Sequence, residues 1–103
     1  MRLEWTEPAL DDLTRLSDHI GRDSTVYAYQ FISRIFDAGA QLADFPRLGR
    51  EVPEATDATG EVRELLFRDY RIIYRLEPGE VVRILTVIHG ARDLAGDNGK
   101  PWE

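Results

Sequence analysis

Arg71, Arg75, Arg83 and His89 carry the spacing in this chain that suggests chemistry. A guanidinium stays charged, and its planar fork grips a phosphate or a carboxylate through two parallel hydrogen bonds. An imidazole, with a free pKa of about 6.5, passes protons near neutral pH. Side chains two apart on a strand share a face, so Arg71 and Arg75 fall together with Ile73, while Arg83 and His89 fall together with Leu85 and Val87. Arginine is rarely buried unless paired, so the faces bearing these groups are expected to be the less covered ones. One open, arginine-bearing face is the expectation.

Three strands joined by two turns must position that face. Val62–Phe67 and Tyr70–Leu76 flank the pair Arg68-Asp69, a gap that fits a tight hairpin although neither residue is glycine. Glu77-Pro78-Gly79-Glu80 is a stronger turn, because proline pre-sets one dihedral and glycine accepts positive φ after it. Val81–His89 forms the third strand. Its alternation predicts that Val82, Ile84, Thr86 and Ile88 share an apolar face turned toward a core, as do Tyr70, Ile72, Tyr74 and Leu76 on the strand before.

Upstream, Arg2–Trp5 is a short strand, and Thr6 caps a helix with Glu7 and Pro8 in its first turn. Leu10, Leu13, Leu16 and Ile20 form its stripe, Gly21 ends it, and Asp11/Arg15 and Asp18/Arg22 are spaced for solvated pairs. A second helix runs from about residue 26 to residue 43, with Ala28, Phe31, Ile32, Ile35, Phe36, Gly39 and Leu42 toward the core. Gly39 suggests a close crossing with the first helix. The two make an antiparallel hairpin, capping one side of the sheet. Residues 47 to 60 read as a loop, with Arg47, Arg50, Glu51 and Glu54 as its candidates for function. Ala91–Ala95 reads as one helical turn and 96–103 as a flexible tail, from which Trp102 stands out as an indole that folds back or meets a partner. The architecture is α+β, in one domain spanning residues 1 to 103.

Composition excludes several classes. Apolar residues make up 43% and charged residues 31%, as in ordinary globular domains. No run is apolar enough for a membrane span and the N-terminus has no signal-peptide layout, so a cytoplasmic protein is expected. There is no cysteine, and His19 and His89 are the only histidines, so neither a metal site nor a cofactor is expected. The net charge is −6, and residues 61 to 93 balance six arginines against six acids, which disfavours avid nucleic-acid binding.

The order of these motifs, WTEPALDDL into a helix, then FPRLGREVPE, VRELLF, YRIIYRL and a last strand running into HGARD, resembles the RelE/ParE superfamily of type II toxin–antitoxin toxins, with the HGARD ending leaning toward the ParE-like branch. The resemblance implies a growth-inhibiting toxin bound in a hetero-oligomer by a cognate antitoxin. ParE-like members, by resemblance, inhibit DNA gyrase and lack a nuclease set. RelE-like members cleave mRNA on the ribosome, and for that activity Arg71, His89, Arg92 and Glu51 or Glu54 are the positions that match. The lysines of RelE itself fall here at about Val62 and Glu64, and its tail tyrosine falls near Asn98, so the docking cations are missing. A non-toxic partner-binding module of the same fold is the third implication. Antitoxin or target contact is expected at Arg63, Arg71, Arg75, Arg83, His89 and Arg92.

Overall fold

The computed structural model describes residues 1–91 and 100–103. The elements run β1 (Arg2–Trp5), α1 (Glu7–Gly21), α2 (Thr25–Asp44), β2 (Arg50–Glu51), β3 (Glu61–Phe67), β4 (Tyr70–Glu77) and β5 (Val81–His89). They form a mixed sheet in the order β1-β5-β4-β3-β2, with β1 parallel to β5 and the other pairs antiparallel. The α+β expectation holds, and the sheet gains a fifth strand, the two-residue β2, inside the stretch read as loop.

Local chemistry explains the elements. Thr6 caps α1 by accepting from the Ala9 N–H at 3.3 Å, and its own hydroxyl donates to the Ile84 carbonyl at 2.7 Å, tying the helix start to β5. Ser24 caps α2 through the Tyr27 N–H. Arg68 takes φ 52° at the β3–β4 turn, and Gly79 and Glu80 take φ 82° and 57° at the next. The tight hairpin therefore closes with an arginine in the left-handed region, a costly place for a side chain with a Cβ.

Both helices cover one face. Ala9 and Leu13 of α1 and Phe31, Ile35 and Leu42 of α2 pack on Ile72, Tyr74, Val82, Ile84 and Val87. Leu10 proves largely exposed, since Ala9 takes the inward position. Asp12, not Asp11, pairs with Arg15, and Asp12 Oδ2 also accepts from the Thr86 hydroxyl and, at 3.1 Å, from the Val87 N–H. Those donors lie just beyond the point where β1 stops pairing with β5. Gly39 meets Trp5 and Ile84 beneath it rather than α1: a Cβ there would stand 2.6 Å from the Trp5 ring.

One irregularity changes the face assignment. In the β4–β5 ladder Ile73 pairs with Thr86 but Tyr74 pairs with Ile84, leaving Leu85 as an extra residue. A bulge of this kind sets two residues against one and reverses the alternation beyond it. Val82 and Ile84 therefore face the helices as expected. Ile88 does not: it joins Val52, Val62, Ile73, Leu85 and Trp102 in a second, smaller core on the far face.

Candidate functional site

The far face carries the arginines, and it is covered rather than open. Arg71 is 6% exposed and Glu64, from β3, is 1% exposed. Glu64 lies opposite Ile73, one diagonal step from Arg71, within reach across the ladder. Arg71 Nε donates to Glu64 Oε1. Its other edge, Nη1 and Nη2, donates to the two Glu54 oxygens at 3.0 and 2.9 Å. Glu64 Oε2 accepts from Arg50 Nε at 2.6 Å. Two guanidiniums and two carboxylates thus form a neutral chain, Arg50–Glu64–Arg71–Glu54. The Arg71 hydrogen bonds hold the Glu54 carboxyl below its usual range and raise the Arg71 pKa in turn.

The remaining arginines of the sheet are also matched with acids. Arg75 and Arg83 lie directly opposite one another, a repulsive pairing that Glu77 relieves, at 2.7 Å from Arg83 Nε and 3.8 Å from Arg75 Nη1. Glu4 of β1 pairs with Arg83 at 2.9 Å. Arg63 stands opposite Tyr74 on the helix-side parity of the ladder, where it pairs with Glu61 at 2.5 Å and donates to the Gly49 carbonyl. Glu61 also pairs with Arg47, and these two arginines lower its pKa.

Arg71, Arg75 and Arg83 do share one face, whereas His89 does not join them. The bulge turns His89 to the helix side, opposite Tyr70, with ring centroids 5.4 Å apart, and its Nδ1 accepts from the Ala91 N–H. Glu51 stands opposite Arg63, again on the other parity from Arg71. The structure therefore leaves Glu51 apart from Arg71, whereas Glu54, Arg71 and His89 line one pocket of about 540 Å³ in which Glu54 is already paired with Arg71. Arg92, the Ala91–Ala95 turn beyond its first residue, and Asn98 lie outside the described residues. Among the described residues, no cluster of three His, Cys, Asp or Glu side chains is arranged to hold a metal, and no helix is long and apolar enough to cross a membrane.

Two segments close the far face. The 52–60 loop inserts Val52 and packs Ala55 and Ala58 beside it, and the tail inserts Trp102, 5% exposed. Lys100 Nζ and the Asp57 carboxylate, 3.0 Å apart, join the two, and Arg75 Nη2 donates to the Trp102 carbonyl. Trp102 thus folds back onto the sheet and departs from the flexible tail expected over 96–103. On the other side of the molecule, α1 and α2 leave an apolar groove of about 670 Å³ between them, lined by Ala28, Tyr29, Ile32 and Phe36 and rimmed by Asp18 and Arg22.

The sequence matches a family model described as "ParE toxin of type II toxin-antitoxin system, parDE", over residues 3–94. The chain belongs to the ParE toxin family. Among relatives of this ParE toxin, "Toxin RelE2" of Caulobacter vibrioides is 37% identical over 89 residues, covering 85% of this chain and 93% of the relative. "Putative toxin Y4kP" of Sinorhizobium fredii is 37% identical over 90 residues, covering 85% and 86%. A solved structure titled "Chromosomal ParDE TA system from P. aeruginosa" superposes with a TM-score of 0.63 at 26% identity, covering 86% of this chain and 95% of that one. The ParE assignment bears out the superfamily resemblance and the fold. Glu64 is the partner of Arg71 that sequence reasoning missed; the signal was a lone acid alternating with Val62 and Leu66 on a strand next to an arginine strand.

Proposed function

We propose that this ParE toxin arrests growth by blocking DNA gyrase, without nuclease activity of its own, and is held silent by a cognate antitoxin. The observation that carries the reading is the saturation of Arg71. Its two-pronged edge is filled by Glu54, and its Nε by a fully buried Glu64. A scissile phosphate docking there would have to expel Glu54 and then sit beside the Glu64 charge, a repulsion of about 4 kcal/mol at 4 Å in a protein-like dielectric. Of the carboxylates that could serve as a base, Glu51 lies on the other parity of the ladder and Glu54, which lines one pocket with Arg71 and His89, is spent on the Arg71 fork. The family match over residues 3–94 supports a toxin, and the ParE branch of the superfamily supports gyrase as the target.

The apolar groove between α1 and α2, with Tyr29 75% exposed at its lip, suits an amphipathic antitoxin helix. The ParDE title of the superposed structure supports such a pairing. Induction of this chain in bacteria, with and without the reading frame beside it, tests the proposal. Growth arrest with DNA breaks while protein synthesis continues, reversed by the neighbouring product, is the expected result. Immediate loss of protein synthesis with intact DNA would favour the mRNA-cleaving alternative, and normal growth would favour a non-toxic binding module.

A further inference from the structure

Helix α2 carries two apolar stripes, and the domain's own core uses one of them. Phe31, Ile35 and Leu42 pack on the sheet. Val26, Tyr29, Ser33, Phe36, Ala40 and Ala43 form the second set, recurring at alternating spacings of three and four, as the a and d positions of a heptad seam do. Val26, Tyr29 and Phe36 of this set are 66%, 75% and 39% exposed, so the seam faces water. Beside it, the groove between α1 and α2 continues into a second hollow of about 310 Å³ bounded by Leu10, Leu13 and Thr14, with Asp18, Ile32 and Phe36 lining both. A contiguous exposed apolar surface of this kind marks an interaction site.

The surface is complementary to itself. Ser17, Gly21, Thr25, Ala28 and Ser33, all small, line the groove beside the protruding Tyr29 ring. A twofold contact requires that combination, because each projection of one copy must meet a recess on the same patch of the other. The rim charges obey the same rule. Asp18 and Arg22 lie four positions apart on the groove wall, and neither forms an ion pair among the described residues. A twofold axis passing between them sets the Asp18 of each copy against the Arg22 of the other, closing two ion pairs at once. The face is about 22 Å long, from the 15 residues of α1, and about 20 Å across two helices. That size suits an interface at the small end of specific complexes, and hence a dimer of micromolar strength.

We propose that this chain self-associates as a twofold dimer through the outer face of α1 and α2, with the Tyr29 ring of each copy entering the groove of the other. The sheet and its ionic chain lie on the opposite side and stay out of the contact. A helix seated in the groove excludes the second copy, so helix capture and dimerisation compete for one surface. The dimer does not depend on which macromolecule the toxin stops.

Sedimentation of the intact chain between about 1 and about 100 μM tests it. The mass should rise from 11.8 kDa toward twice that value. Tyr29→Asp, Asp18→Arg and Arg22→Asp should each weaken the dimer at least tenfold while leaving the melting temperature close to that of the intact chain, since all three positions are exposed. Mixing Asp18→Arg with Arg22→Asp puts opposite charges back at both contacts and should recover the affinity, as should the double variant Asp18→Arg/Arg22→Asp. A purely structural role for either residue gives no such rescue. A mass that stays at 11.8 kDa throughout overturns the proposal, and if that monomer binds an added amphipathic peptide helix, the groove belongs to a helical partner alone. A dimer indifferent to Tyr29→Asp, or to the charge exchange, overturns it equally.

Discussion

Replacing Glu64 with glutamine removes one charge from the centre of the ionic chain while keeping size and shape. The Glu64 side chain is fully buried and pairs with Arg71, 8% exposed, and with Arg50, 61% exposed. The Arg50 pair is solvated and contributes about 0–1 kcal/mol. Breaking a buried pair by removing one partner costs about 3–5 kcal/mol, because the other charge is left uncompensated. Glu54 still holds the far edge of Arg71, which places the expected loss near the bottom of that range, about 3 kcal/mol. For a domain of this size that corresponds to a fall in Tm of about 12–24 °C. Urea and thermal unfolding followed by circular dichroism measure it. The double variant Glu64→Gln/Arg71→Met should recover part of the loss, since it removes the buried guanidinium that the single variant leaves undercompensated. A loss under about 1 kcal/mol for the single variant, or no recovery in the double, would refute the view that Glu64 and Arg71 are a mutually dependent buried pair.

Other outcomes follow from the same structure. Tyr74 is fully buried, its hydroxyl donating to the Pro46 carbonyl at 2.8 Å and accepting from the Gly49 N–H at 3.0 Å, so Tyr74→Phe should cost about 1–3 kcal/mol in chemical denaturation by orphaning that N–H. Gly49→Ala should be worse than Gly39→Ala when both are compared by melting temperature, because its Cβ would stand 2.3 Å from the backbone oxygen of Glu64, whereas the Gly39 clash is with a side-chain ring. Acid should weaken the fold: Glu54 and Glu61 have folded pKa values below the ordinary 4.5, so the stability they contribute is present above pH 4.5 and is lost as pH falls through the lower folded values. Unfolding measured from pH 7 to pH 3 should show a shallower loss in Glu54→Gln than in the intact chain, and parallel curves would count against the Arg71–Glu54 link.

Most of the fold is legible because its elements announce themselves locally. Thr6 and Ser24 cap the helices, the apolar stripe of α2 has helical period, and Pro78-Gly79 marks a turn. Long-range features are less legible. Nothing about Leu85 itself announces a bulge, since the extra residue exists only relative to β4; one inserted position then moved Ile88 to the far face and His89 to the helix side. The open arginine face was expected from the rule that arginine is buried only when paired. The rule held, but the pairing acids come from β3, from the loop at Glu54 and from β1 at Glu4, which the sequence does not place beside them. Trp102 was visible as an anomaly, whereas its seat on Val62, Ile73 and Leu85 depends on the finished sheet.

The central claim is that Arg71 is a structural cation already matched by carboxylates, leaving the protein to act by binding. Titrating the purified intact chain into gyrase supercoiling reactions, alongside ribosomes programmed with mRNA, tests it most directly. Supercoiling should fall with added toxin while the mRNA stays whole; mRNA cut on the ribosome with supercoiling untouched would contradict the account.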